Sequence, residues 1–213
     1  MKVIVRDLSK TIRGSKVLEH ISIEMEGGCI YGLQGKNGSG KTMLMRAICG
    51  LIYPDSGEVE IDGKILGRDL SFPESVGALI ENPAFLSNYT AYENLSLLAS
   101  IQRKITKEEI RQSIRSVGLD PDDKRKYRKF SLGMKQRLGI ACAIMEHPQM
   151  VILDEPFNAL DSGGAALIRE RILQLKERGA LVVLACHDRE ELEFLSDKIW
   201  MMRDGRILEG RDG

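Results

Sequence analysis

The stretch Gly35-Lys36-Asn37-Gly38-Ser39-Gly40-Lys41-Thr42 satisfies the pattern G-x-x-x-x-G-K-[ST], and no other feature confines the fold so tightly. A loop of this kind works between a buried strand and a helix N-terminus. Cys29, Ile30, Tyr31, Gly32 and Leu33 supply the apolar strand, and residues 43–49 read as a helix that stops at Gly50. Glycines let consecutive N–H groups turn inward around a phosphate chain, and the helix N-terminus adds its positive dipole end. Lys41 brings a movable point charge for the terminal phosphates, and Thr42 a hydroxyl suited to Mg²⁺. A unit charge pair at 4 Å is worth ~4 kcal/mol at an effective dielectric of 20. The dipole contributes only ~0.3–1 kcal/mol. Lys41 therefore dominates binding of the terminal phosphates, while the glycines provide shape.

The remainder of the chain has to supply a sheet and a core. With 213 residues and 43% hydrophobic content, one large α/β domain or a domain with a subdomain is expected. The formal net charge is zero, which argues for no nucleic acid and no anionic membrane surface as partner. Cys29, Cys49, Cys142 and Cys186 are widely spaced in apolar runs, which points to buried reduced thiols rather than a metal site. The N-terminus has no signal-peptide pattern, and no run approaches the ~20 apolar residues that span a bilayer. A cytoplasmic location is expected.

Residues 2–6 and 17–25 alternate as half-buried antiparallel strands do, and 58–61 alternates before a turn at Asp62-Gly63. Residues 77–80 read as a short core strand. Thr90-x-x-Glu93 and Thr106-x-x-Glu109 are capping boxes that open two helices, and a third helix begins at Ser131. The charged run at 122–129 reads as a solvated loop. After Pro148 the α/β pattern resumes: strand at 150–153, helix at 162–178, strand at 180–185, short helix at 188–195 and a hairpin turning at Asp204-Gly205. One domain is expected, with a core of 1–81 and 148–213 and a helical subdomain of 82–147.

The apolar strand Val151-Ile152-Leu153 ends in two carboxylates, Asp154 and Glu155. With a phosphate loop in the same chain, Asp154 is expected to help hold Mg²⁺ and Glu155 to polarise an attacking water as general base. The order of these motifs resembles that of an ATP-binding cassette (ABC) nucleotide-binding subunit along nearly the whole chain. Phe130-Ser131-Leu132-Gly133-Met134-Lys135-Gln136-Arg137 resembles the family's LSGGQ segment, with Leu132 standing in for its first glycine. The resemblance implies a P-loop fold of ABC type: a mainly parallel core sheet, an N-terminal antiparallel β layer and a helical insert. It implies ATP and Mg²⁺ as ligands, and ATP hydrolysis that powers a membrane exporter. Ser131 and Gly133 would contact the γ-phosphate bound by a second such subunit, and a separate permease would hold the chain at the inner face of the cell membrane. Asn158-Ala159-Leu160-Asp161 resembles the D-loop, and an ordinary turn is the other reading; His187 stands where the family places a switch histidine. His20 and His147 match no motif.

Two positions depart from the family pattern. Glu81 replaces the usual Q-loop glutamine, within Ala78–Phe85 text that resembles the lantibiotic and bacitracin-type peptide exporters. It is expected to join the metal and nucleotide ligands and to couple the site to the helical insert. Residues 10–14 lack the aromatic that commonly stacks on adenine, leaving Ile12, or Arg13 as a planar cation, to pack there. A non-transport or regulatory cassette acting as a nucleotide-driven dimer switch is the alternative function.

Overall fold

The computed structural model describes residues 1–212. Among the described residues, ten strands form two sheets. Strands β1 (Lys2–Ile12), β2 (Ser15–Glu26), β4 (Ser56–Ile61) and β5 (Lys64–Ile65) make an antiparallel layer in the order β2-β1-β4-β5. The main sheet has the order β10-β9-β3-β8-β7-β6, built from β3 (Ile30–Gln34), β6 (Val76–Leu79), β7 (Met150–Asp154), β8 (Leu181–Ala185), β9 (Lys198–Arg203) and β10 (Arg206–Asp212). All its pairings are parallel except the β9–β10 hairpin. The expected mainly parallel core sheet and antiparallel layer are both present.

Period-two alternation divides the core. Met150 and Ile152 of β7, with Leu181 and Val183 of β8, face the antiparallel layer and helix α1 (Lys41–Ile48). Val151 and Leu153, with Val182 and Leu184, face the opposite side, against α2 (Ala91–Gln102), α3 (Lys107–Ser116), α4 (Leu132–Ile144) and α5 (Ser162–Glu177). Strands buried on both faces read as continuous apolar runs, which is why 150–153 and 180–185 were legible without alternation.

Both capping boxes form. Thr90 N donates to Glu93 at 2.6 Å and Glu93 N returns to the Thr90 hydroxyl at 3.2 Å; Thr106 and Glu109 repeat this at 2.7 and 3.3 Å.

Two expectations are corrected. Strand β1 does not stop at Arg6 but continues to Ile12 through a bulge, with Asp7 at φ 46° and the buried positions stepping from Val5 to Leu8. An added residue shifts the inward phase by one, so simple alternation ends where the strand does not. The run 122–129 is not wholly solvated either. Its end forms a single 3₁₀ turn, Tyr127–Lys129, in which Tyr127 is buried between Phe85 and Phe130 and donates its hydroxyl to Pro83 O at 2.6 Å.

Helix α4 presses closely on strand β6. A Cβ at Gly77 would lie 1.7 Å from Ala143 O, so the residue type there is dictated by backbone approach. Helix α6 (Arg189–Leu195) packs beside β3.

Candidate active site

The phosphate loop leaves the C-terminal end of β3 and runs into α1, in the middle of the parallel sheet. Strands β7 and β8 end alongside it, which brings their C-terminal loops to the same crevice. Gly40 at φ 106° caps α1, where a Cβ would meet Val17 O at 2.8 Å; the turn and the close backbone approach both require glycine. A cleft of about 490 Å³ opens over the loop. Asn37, Gly38, Ser39, Gly40, Lys41 and Thr42 line it, together with Glu81, Asp154 and Glu155. Gly35 and Lys36 lie on the other side of the loop, in a second cavity shared with His187.

Lys41 is only 6% exposed. Its Nζ donates to Gly35 O at 2.6 Å and Lys36 O at 3.2 Å, so the ammonium is held by the carbonyls of the loop it serves. Neutral carbonyl acceptors give way readily to a stronger anionic partner. Ser39 Oγ is buried without a protein partner, a hydroxyl that an oxygen-rich ligand can satisfy. Both features fit a bound polyphosphate.

Thr42 Oγ1 donates to Asp154 Oδ2 at 2.6 Å, joining the first turn of α1 to the end of β7. Burial pushes the Asp154 carboxyl above its ordinary value; Glu155 and Glu81 add to this, while the Thr42 hydrogen bond and Lys41 oppose it. A hard hydroxyl and a buried, incompletely compensated carboxylate are a donor set that suits Mg²⁺, which prefers oxygen ligands and keeps several waters.

Glu155 follows at φ 50°, a strained conformation for a side-chain-bearing residue. Hydrogen bonds from several directions hold it there. Its N–H donates to Ala185 O at 2.8 Å, and its carbonyl accepts from Gln136 Nε2 at 2.9 Å. Its Oε2 lies 2.7 Å from His187 Nδ1 and also accepts from the His187 backbone N–H at 3.3 Å. His187 itself is 69% exposed, so the imidazole can reach outward while tied to Glu155.

Glu81 lines the cleft at φ 64° and does not stand alone: Arg46 Nη2 of α1 donates to its Oε1 at 2.7 Å. The arginine offsets the negative charge that a carboxylate brings to a polyphosphate site. Ser131 Oγ accepts from Met134 N at 3.2 Å as the N-cap of α4, and Asp161 Oδ1 accepts from Gly164 N at 2.9 Å as the N-cap of α5. Neither lines the cleft. Gly133 lies against the D-loop segment, where a Cβ would be 2.6 Å from Ala159 O. Leu132, the departure from the family text, is 72% exposed and points to solvent, so its bulk disturbs nothing within the chain.

The structure does not bring Ile12 into the cleft. It pairs with Ser15 beside the Arg13-Gly14 turn, and the apolar residues on the cleft wall are Val17 and Met43. The tight hairpin puts Ile12 at its tip, and the return strand β2 supplies the wall. Gln136 and Arg46 were also missed. A neutral amide between Lys135 and Arg137 gave Gln136 a weak signal, and Arg46 reads as an ordinary last-turn cation.

Comparison with known proteins agrees with this geometry. The ABC transporter family profile matches residues 18–158. An uncharacterised ABC transporter ATP-binding protein of Bacillus subtilis, YybJ, is 47% identical over 95% of this chain and 93% of its own length. The bacitracin transport ATP-binding protein BcrA of Bacillus licheniformis is 39% identical over 98% and 70%, and the lantibiotic transport ATP-binding protein SrtF of Streptococcus pyogenes 34% over 96% and 88%. Among solved structures, an ATP-binding subunit of an ABC transporter superposes with a TM-score of 0.88 at 28% identity, covering 100% of this chain and 90% of that one. The dimeric ABC transporter cassette MJ0796 has the same fold, with a TM-score of 0.90 at 23% identity over 99% and 98%. The chain belongs to the ABC transporter family, as an ATP-binding and ATP-hydrolysing subunit.

Proposed function

We propose that this chain hydrolyses ATP in a head-to-tail pair of cassettes and thereby drives a separate membrane permease that exports a peptide antibiotic. The observation that carries the dimer is the position of Ser131 and Gly133. They sit at a helix N-terminus outside the chain's own cleft, a position that supports phosphate contacts to a nucleotide held by a second subunit rather than to the chain's own. The D-loop segment ending at Asp161 touches Gly133 and belongs to the same face. The permease and its peptide cargo rest on the names of the bacitracin and lantibiotic relatives. Among the described residues no helix is long and apolar enough to cross a membrane, which fits a subunit that is held at the cytoplasmic face by a partner.

In this reading Lys41 leaves the carbonyls of Gly35 and Lys36 for the terminal phosphates, while Gly38, Ser39 and Gly40 wrap them. Thr42 and Asp154 would hold Mg²⁺, with Glu81 beside them, and the charge it would supply there neutralises phosphate. Glu155 takes a proton from the attacking water, and its backbone is fixed by Gln136 and Ala185. His187 keeps the Glu155 carboxylate aimed and presents its exposed edge to the γ-phosphate.

Two expected outcomes follow from the contacts. Gln136→Leu removes the buried donor to Glu155 O, and kcat should fall ~10-fold or more with a smaller change in KM, as steady-state ATPase assays would read. An unchanged kcat would remove Gln136 from the positioning of Glu155. Glu81→Gln breaks the pair with Arg46 and deletes a charge beside the metal ligands. It should change the Mg²⁺ concentration needed for half-maximal ATPase by several-fold, and transport-coupled stimulation with it. If both stay the same, Glu81 has no coupling role. The export reading is tested by expressing the chain with its membrane partner and measuring resistance to bacitracin and to a lantibiotic. Protection lost in the Lys41→Ala variant supports it, and no protection by the intact pair against either compound refutes it.

A further inference from the structure

The ends of β7 and β8 add to Glu155 and His187 a third donor, the Cys186 thiol, that ATP hydrolysis does not use. Asp154 pairs with Ala185 across the two parallel strands, so the residues just beyond, Glu155 on one and Cys186 and His187 on the other, meet at the sheet edge. Each offers one donor atom, a carboxylate oxygen, a thiol sulfur and an imidazole nitrogen, and the three atoms lie within 4.8 Å of one another. The set is assembled rather than incidental. Glu155 Oε2 is 2.7 Å from His187 Nδ1, and the Asp188 N–H donates to Cys186 Sγ at 3.3 Å. An amide donor to sulfur is the kind of outer contact that supports a metal-bound thiolate.

We infer that Glu155, Cys186 and His187 form an inhibitory site for a thiophilic divalent cation of the Zn²⁺ class. Bonds of ~2.0 Å to oxygen and nitrogen and ~2.3 Å to sulfur imply ligand separations of ~3.2–3.7 Å at a tetrahedral centre. The Glu155–His187 contact has to open by under ~1 Å to reach this, and the sulfur, within 4.8 Å of both, has to close by no more than ~1.5 Å. His187 is the exposed member, and its solvent side leaves the fourth position to water. The cation bonds to Oε2, Nδ1 and Sγ. The Cys186 S–H bond breaks and its proton goes to solvent, the imidazole proton that faces Glu155 on Nδ1 moves through solvent to Nε2, and no electrons change hands.

The ligand types separate this site from that of Mg²⁺. Thr42 and Asp154 offer only oxygen, which suits the hard ion, whereas thiolate and imidazole select a softer one. Occupation captures the carboxylate and imidazole on which the proposed mechanism depends, and leaves the loop at 35–42 untouched. Inhibition rests on that reading of Glu155, whereas cation binding does not.

The test uses the full chain without nucleotide. Zn²⁺ binding is measured by calorimetry, and Co²⁺ is used to detect thiolate-to-metal charge-transfer absorption. MgATP turnover is then followed at free Zn²⁺ concentrations fixed by a chelator buffer. The comparison variant is Cys186→Ser, which keeps the size of the side chain and an acceptor for the Asp188 N–H; Cys186→Ala serves if the first does not fold. One Zn²⁺ per chain, a Co²⁺–thiolate band in the unmodified chain alone, and Zn²⁺ affinity at least ~100-fold weaker in the variant support the site. Turnover inhibited by Zn²⁺ in the unmodified chain but not in the variant at the same concentration supports its inhibitory role. Absence of the band, or equal Zn²⁺ affinity in the variant, overturns the site. Tight binding with the band but undiminished turnover overturns inhibition, and with it the role of Glu155 as base.

Discussion

Glu155→Gln is expected to cut ATP turnover by ~10²–10⁴-fold while ATP affinity stays within a few-fold of the unmodified chain. Glutamine has the shape of glutamate and keeps an oxygen for the His187 backbone N–H, but it cannot take a proton from water. The surrounding contacts make the substitution a clean one. Gln136 and Ala185 bind the Glu155 main chain rather than its carboxylate, so the φ of 50° survives the change. The loop that binds the phosphates is not touched. Pre-steady-state hydrolysis alongside equilibrium ATP binding separates the two terms. Near-normal turnover would remove Glu155 as the base, whereas lost affinity would mean that it holds the nucleotide rather than the water.

Gly77→Ala is expected to destabilise the fold by about 3 kcal/mol or more, or to prevent its accumulation. The added methyl would lie 1.7 Å from Ala143 O, 2.7 Å from Ala143 C and 2.9 Å from Pro148 Cγ. The first two are backbone atoms of α4, so no side-chain rotation relieves the contact. The helix as a whole has to move off β6, and α4 carries Ser131 at its start and Gln136 in its body. Function should therefore suffer before the protein unfolds. Urea denaturation reads the stability, and a midpoint equal to that of the unmodified chain would show that the helix can move at little cost.

Helix α4 explains why these effects converge. One end presents Ser131 and Gly133 outward, the middle grips Glu155 through Gln136, and Gly139 packs where a Cβ would touch Leu79 and Pro83, on either side of Glu81. The segment proposed to sense the opposite nucleotide is thus rigidly continuous with the backbone of the proposed base. A displacement of α4 by a partner would reach Glu155 without crossing a flexible joint.

The features that could be read from the sequence were those in which local chemistry and fold agree. The phosphate loop, the two capping boxes, the doubly buried strands and the turn at Asp204-Gly205 each have a short-range signature, and all appear where they were expected. The bulge at Asp7 did not, because a left-handed aspartate looks like any other until the partner strand fixes the register. Contacts between residues far apart in the sequence were invisible for a similar reason. Arg46 on Glu81, Gln136 on Glu155 and Val17 on the cleft wall join residues distant in sequence, and none has a spacing of its own. Ile12, expected to pack on adenine, lies beside the two-residue turn and outside the lining of the cleft, where Val17 of the returning strand is found.

The mass of the Glu155→Gln chain in solution, measured by light scattering with MgATP and then with MgADP, bears most directly on the proposed two-cassette site. A hydrolysis-deficient chain whose Ser131 and Gly133 complete a neighbour's ATP site should have twice the monomer mass with ATP and the monomer mass with ADP. A monomer in both, with ATP shown to be bound, would contradict it.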